Sequence, residues 1–77
     1  MIDSKVKAGQ LRRWVHGDVP IPDEWHDKLF VIVSRHVKWI DVMGTEHSTC
    51  DILIDGQIDQ GWADHQILKW SVPVEQT

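Results

Sequence analysis

Residues 50–62 read Cys50-Asp-Ile-Leu-Ile-Asp55-Gly56-Gln-Ile-Asp-Gln-Gly-Trp62, CDILIDGQIDQGW. Apolar and polar residues alternate on both sides of Asp55-Gly56, the pattern of a β-hairpin closed by a tight glycine turn. Two registers are open to it. A two-residue Asp55-Gly56 turn sets Ile54 against Gln57 and Ile52 against Asp59, pairing oily with wet side chains. A three-residue loop, Ile54 to Gly56 with Gly56 as a left-handed bulge, sets Ile52 against Ile58 and Cys50 against Gln60. The second sorts better: Cys50, Ile52, Ile58 and Trp62 gather on one face, with Asp51, Gln57 and Asp59 on the other. A one-residue slip would undo that sorting, so the three-residue loop is the expectation.

Working outward, Lys28 to Val33 (KLFVIV) is a β-branched run with no polar face at helical spacing, and reads as a buried strand. Val37 to Met43 (VKWIDVM), closed by Gly44, is a second strand or the far half of the same bent one. Gln10 to Val15 (QLRRWV) makes an opening strand. A long loop, His16 to Asp27, follows, broken by Gly17, Pro20 and Pro22, and Pro22-Asp23-Glu24 can open a short helical turn within it. After Trp62, Ala63 to Gln66 suit one helical turn before a last alternating strand, Ile67 to Val72, stopped by Pro73. The first few residues and Pro73 to Thr77 read as frayed ends. The expected fold is all-β: one domain over residues 1–77, a small five-stranded closed or half-closed barrel with a short helical turn before the last strand.

A chain of 77 residues buries only about 60% of its unfolded surface, so the core must be economical. With one cysteine, no internal disulfide can staple it. There is no apolar run of membrane-spanning length and no secretory leader pattern, which points to a cytoplasmic protein without membrane contact. Twelve acidic against eight basic residues give a net charge of −4, which argues against a nucleic-acid partner.

The order of these signals resembles the SH3-like barrels over most of the chain. KAGQLRRWV (7–15) matches the opening strand and LFVIV (29–33) the second; ILIDGQIDQGW (52–62) matches the distal hairpin and ADHQIL (63–68) the turn into the last strand. More narrowly, Val6, Gly9, Leu11 and Arg13, paired with Asp55, Gly56, Ile58, Trp62 and Leu68, resemble the opening and closing motifs of small SH3-like proteins of tailed and marine phages. That resemblance implies a barrel and, for a phage-encoded protein, a place in the host cytoplasm or the virion; it implies no particular activity. It departs from signalling SH3 domains in having no tyrosine, which those domains use to grip proline-rich ligands.

Chemistry-bearing residues are few. His47 and Cys50 supply one nitrogen and one sulfur, but a zinc site needs four converging ligands and the remaining histidines fall in separate elements. Cysteine catalysis would pair Cys50 with His47, three apart on a strand and so on opposite faces. Asp51, Asp55, Asp59 and Asp64 lack calcium-loop spacing and read as a solvated hairpin face. No cofactor or metal is expected, and no catalytic set.

Five tryptophans in so short a chain are the strongest functional signal. Trp62 and Trp70 fall on core faces. Trp14, Trp25 and Trp39 are the candidates for display, forming an aromatic patch for a protein partner or a second copy meeting an open strand edge. The rival use is base stacking on a single nucleic-acid strand, with Arg12, Arg13, Arg35 and Lys38 supplying charge.

Overall fold

The computed structural model describes residues 6–74 of the chain. Five strands lie in one antiparallel sheet: β1 (Leu11–Trp14), β2 (Leu29–Ile40), β3 (Glu46–Ile54), β4 (Gln57–Ala63) and β5 (Ser71–Pro73), in spatial order β4-β3-β2-β1-β5. A seven-residue helix, α1 (Asp64–Trp70), joins β4 to β5. A 3₁₀ turn over Asp23–Trp25 follows Pro22 in the long loop, as the proline there predicts. The ends expected to fray lie outside the described residues, apart from Pro73 and Val74.

The sheet is open, which corrects the expectation of a closed barrel. No pairing joins the edge strands β4 and β5 among the described residues. The physical reason lies in residues 64–70. There Ile67 and Trp70, spaced one helical turn apart with Ala63 a turn earlier, bury a helix face, so the strand expected from Ile67 begins only at Ser71. Gln66 Oε1 accepts the Ala63 N–H at 2.9 Å and satisfies one free donor at the helix start. Three residues of β5 are too few to reach across and close the sheet.

β2 is one continuous strand of 12 residues, bent by register shifts at Val33 and Lys38. Its near half pairs with β1 and its far half runs on beside β3 as a projecting hairpin.

At the Asp55-Gly56 turn the expected register is overturned. Ile54 pairs with Gln57, Leu53 with Ile58 and Ile52 with Asp59, the two-residue alternative. Asp55 and Gly56 have φ of 56° and 76°, the doubly left-handed turn whose twist matches that of the flanking strands. Ile58 is therefore 53% exposed and Asp59 lies on the inner face. Neither is wasted. Ile58 ends an outer-face row, Leu11–Val31–Leu53–Ile58, that crosses four strands. Asp59 sits on an edge strand and accepts the Trp62 indole N–H at 2.9 Å. Between Ile52/Asp59 and Cys50/Trp62, β4 carries one extra residue, and Gly61 there has φ +87°. That bulge returns Trp62 to the inner face.

The core fills the inner face: Trp14, Phe30, Ile32, Cys50, Ile52, Ile54 and Ile67, closed by Val6 and Ile21. Trp14 stacks on Phe30 at 4.5 Å between ring centroids and contacts Trp62 at 4.9 Å and Trp25 at 6.1 Å. Indoles thus supply much of the volume that a short chain must bury. Buried Arg12 is satisfied internally, its guanidinium donating to Ser71 Oγ at 2.7 Å and to the Ser71 carbonyl at 3.1 Å, which ties β1 to β5.

Candidate functional site

Where β4 ends, opposite Thr49, the chain turns aside into α1, while β3 continues back to Glu46. This leaves a groove of about 770 Å³ between the start of β3 and the start of α1, walled by Arg35, Trp39, Glu46, His47, Asp64 and Leu68 among others.

Its floor is a polar cluster held by one carboxylate. Asp64, the first residue of α1, accepts from Arg35 Nη2 at 2.9 Å and Nε at 3.2 Å, from Ser48 Oγ, and from Cys50 Sγ at 3.3 Å. Arg35 also donates to Glu46 Oε1 at 3.3 Å. Burial works to raise the Asp64 pKa, yet the hydrogen bonds from Arg35, Ser48 and Cys50 outweigh it and hold the group below its ordinary value. The Arg35 guanidinium is correspondingly raised, first by its hydrogen bond to Asp64. Burial, then the neighbouring Asp64 carboxylate, pushes the Cys50 thiol up to about 12. A thiol in that state is no nucleophile at neutral pH.

On the groove's other wall, Trp39 lies flat on His47, with 4.0 Å between centroids and 7° between planes. His47 Nε2 sits 2.9 Å from Asp41 Oδ2, and Asp41 Oδ1 accepts the backbone N–H groups of Met43 and Thr45. The Asp41 carboxyl is lowered, chiefly by the His47 hydrogen bond and then by that of Thr45. One aspartate thereby shapes the β2–β3 turn and fixes the ring on which the indole rests. Beyond it the turn projects Val42 and Met43 into solvent.

The three tryptophans expected on display separate. Trp14 is wholly buried, which corrects its place in a surface patch: Trp14 and Arg12 alternate with outward-facing Arg13, and the inner face of β1 is covered by the long loop, α1 and Trp62. Trp25 is half-buried against Trp14 and Trp62. Trp39 alone is displayed, at 57% exposure, and stacks with none of the other indoles. Burial of Arg12 and the carboxylate partners of Arg35 also remove two of the cations proposed for a nucleic-acid strand.

The structure does not bring His47 and Cys50 together. His47 stacks on exposed Trp39, whereas Cys50 is buried on the inner face against Asp64. Among the described residues no group of three or more His, Cys, Asp and Glu side chains is arranged to hold a metal ion. A trio that sequence reading missed lies on the outer face: Ser34 Oγ donates to Asp51 Oδ2 at 2.9 Å, and His36 Nε2 is 3.3 Å from both. A proton relay needs the imidazole to use its two nitrogens toward two partners, and here one nitrogen faces both. Its effect is to clamp β2 to β3 beside the Val33 bulge.

Sequence reading took Asp64 as part of a solvated hairpin face and Arg35 as a free cation, and passed over Ser48; the structure instead part-buries Asp64 and bonds it to both, a convergence with no local spacing signature because its members come from three elements. No helix among the described residues is long and apolar enough to cross a membrane. Comparison with protein families, with curated proteins and with solved structures yields no match to this chain.

Proposed function

We propose that this chain is a non-enzymatic, SH3-like interaction module that holds a protein partner against Trp39 and the adjoining groove, in the host cytoplasm or a virion. Supporting the SH3-like reading are the strand order β4-β3-β2-β1-β5 and the helix between the fourth and fifth strands, which fit the resemblance to small phage proteins. One observation carries the binding role: an indole left more than half exposed, yet pinned flat on His47, beside a groove. A rigid aromatic surface offers large contact area at small entropic cost.

The test is comparative capture from lysate of the expressing cells, with the wild-type chain and Trp39→Ala as baits and mass spectrometry of what is retained. Loss of a specific protein with Trp39→Ala is the expected result. Equal retention by both baits would remove the reading. Quenching of tryptophan fluorescence by a single-stranded oligonucleotide at low salt, lost as salt rises, would favour the nucleic-acid alternative.

A further inference from the structure

Both faces of this sheet are oily, and the chain covers one of them. Leu11, Val31, Leu53 and Ile58 form a single outer row across β1, β2, β3 and β4. Beside the row stand Leu29 and, across Arg13, Val72 of β5, with Val33 at its bulge. Leu29, Val33, Leu53, Ile58 and Val72 are each between 39% and 53% exposed, while the long loop and α1 close the core on the inner face. An apolar sheet face is stable when a second layer packs on it.

Three features select a second copy of this chain as that layer. The first is the order of the row. It is apolar read from either end, so a two-fold axis running along the strands between Val31 and Leu53 lays Leu11 on Ile58 and Val31 on Leu53 of the other copy. The second is charge. Arg13 interrupts the apolar face and has neither ion pair nor hydrogen bond among the described residues. The same axis carries it over the other copy's Asp55-Gly56 turn, because Arg13 lies one step from Leu11 in the direction that Gly56 lies from Ile58. Asp55 is 62% exposed there and meets Lys28 at 2.8 Å, which leaves its carboxylate room for a second cation. The third is area. The five exposed side chains present on the order of 400 Å², and two facing copies remove about twice that, close to the nonpolar share, roughly 900 Å², of a standard interface.

We propose that the chain forms a two-fold dimer in solution, its two sheets packed outer face to outer face with strands aligned, as in a β-sandwich. Arg13 of each copy meets Asp55 of the other at the two ends. The Trp39 groove lies on the far half of β2, past Val33 and Lys38, so dimerisation and partner capture are separate properties.

Sedimentation equilibrium of the full chain, up to about 1 mM, should give twice the chain mass. Ile58→Lys, an exposed change on an edge strand, should weaken the dimer at least about tenfold while the far-ultraviolet circular dichroism stays that of the folded chain. Arg13→Glu should weaken it about fivefold, and Asp55→Asn, an exchange suited to φ 56°, should recover part of that loss in the Arg13→Glu background. Leu11 and Ile58 of one chain stand three strands apart, about 14 Å, so an isotope-filtered nuclear Overhauser contact between their methyls in a mixed labelled and unlabelled sample arises only across the two copies. Trp39→Ala should leave the dimer as it is. A chain that stays monomeric at the highest concentration overturns the proposal, including one whose apolar face binds phosphatidylcholine vesicles instead. So does a dimer that withstands Ile58→Lys or Arg13→Glu at wild-type strength, one that lacks the Leu11 to Ile58 contact, or one that Trp39→Ala dissolves.

Discussion

Cys50 pairs with Trp62 across β3 and β4, one residue later than the Ile52/Asp59 pairing would extrapolate. That offset of a single residue, taken up at Gly61, keeps Trp62 against Trp14 and Trp25 and not in water. An L-residue at φ +87° is strained by about 1–2 kcal/mol, although open space surrounds the position. Gly61→Val should therefore lower unfolding stability by that amount, read as a shift in denaturant midpoint. Deleting Gly61 should do more, since it turns Trp62 outward. An unchanged midpoint in both variants would show that the bulge does not set the register.

The tryptophans divide between core and surface. Trp14→Ala should cost roughly 3–5 kcal/mol, a large part of the 5–15 kcal/mol typical of whole domains, and leave much of the chain unfolded. Trp39→Ala should stay within about 0.5 kcal/mol of wild type. Denaturant unfolding of the pair checks both, and comparable losses would contradict the burial that separates them.

Asp64 makes stability depend on acid. Its pKa is lowered on folding from an ordinary 3.8, so its contribution is fully present above that value and is lost as pH falls through the folded-state pKa. Asp41, held down first by His47, and Asp51, held down first by Ser34, act in the same direction. The protein should destabilise on acidification below about pH 4, and Asp64→Asn should flatten part of that slope. Asp64→Ala, which strips Arg35, Ser48 and Cys50 of a shared acceptor, should cost roughly 1.5–3 kcal/mol at neutral pH. Melting temperatures of the three proteins across a pH series measure this; parallel wild-type and Asp64→Asn curves would refute it.

Cys50 should be chemically silent in the native state. Buried, and with its thiol pushed up to about 12, it offers almost no thiolate at pH 8. A thiol-reactive chromogen should modify it only at the rate at which the protein opens, rising with denaturant. Rapid stoichiometric labelling without denaturant would place the sulfur outside the core.

Much of the fold is legible locally. The β-branched run at Lys28 to Val33, the Pro22 turn, the Asp55-Gly56 corner and the inward Cys50 and Ile52 follow from residue chemistry within a few positions. The hairpin register does not. Sorting apolar from polar assumes that only one face is oily, whereas the outer face carries the row ending at Ile58, so the assumption selected the wrong loop. Residues 67–70 alternate as a strand does and also space as a helix does. Packing of Ile67 and Trp70 onto the core settled that choice.

For the candidate site the division is sharper. Composition alone marks tryptophan as the residue to follow, but burial of Trp14 and exposure of Trp39 depend on which strand face the long loop and α1 cover. Likewise, Arg35, Ser48 and Asp64 converge only because β2 and β3 pair and α1 begins where β4 ends. Local sequence determines what each short segment prefers over a few bonds. Which faces are covered, which edge stays open and which distant charges meet are decided only when the segments pack, because those energies belong to contacts between them.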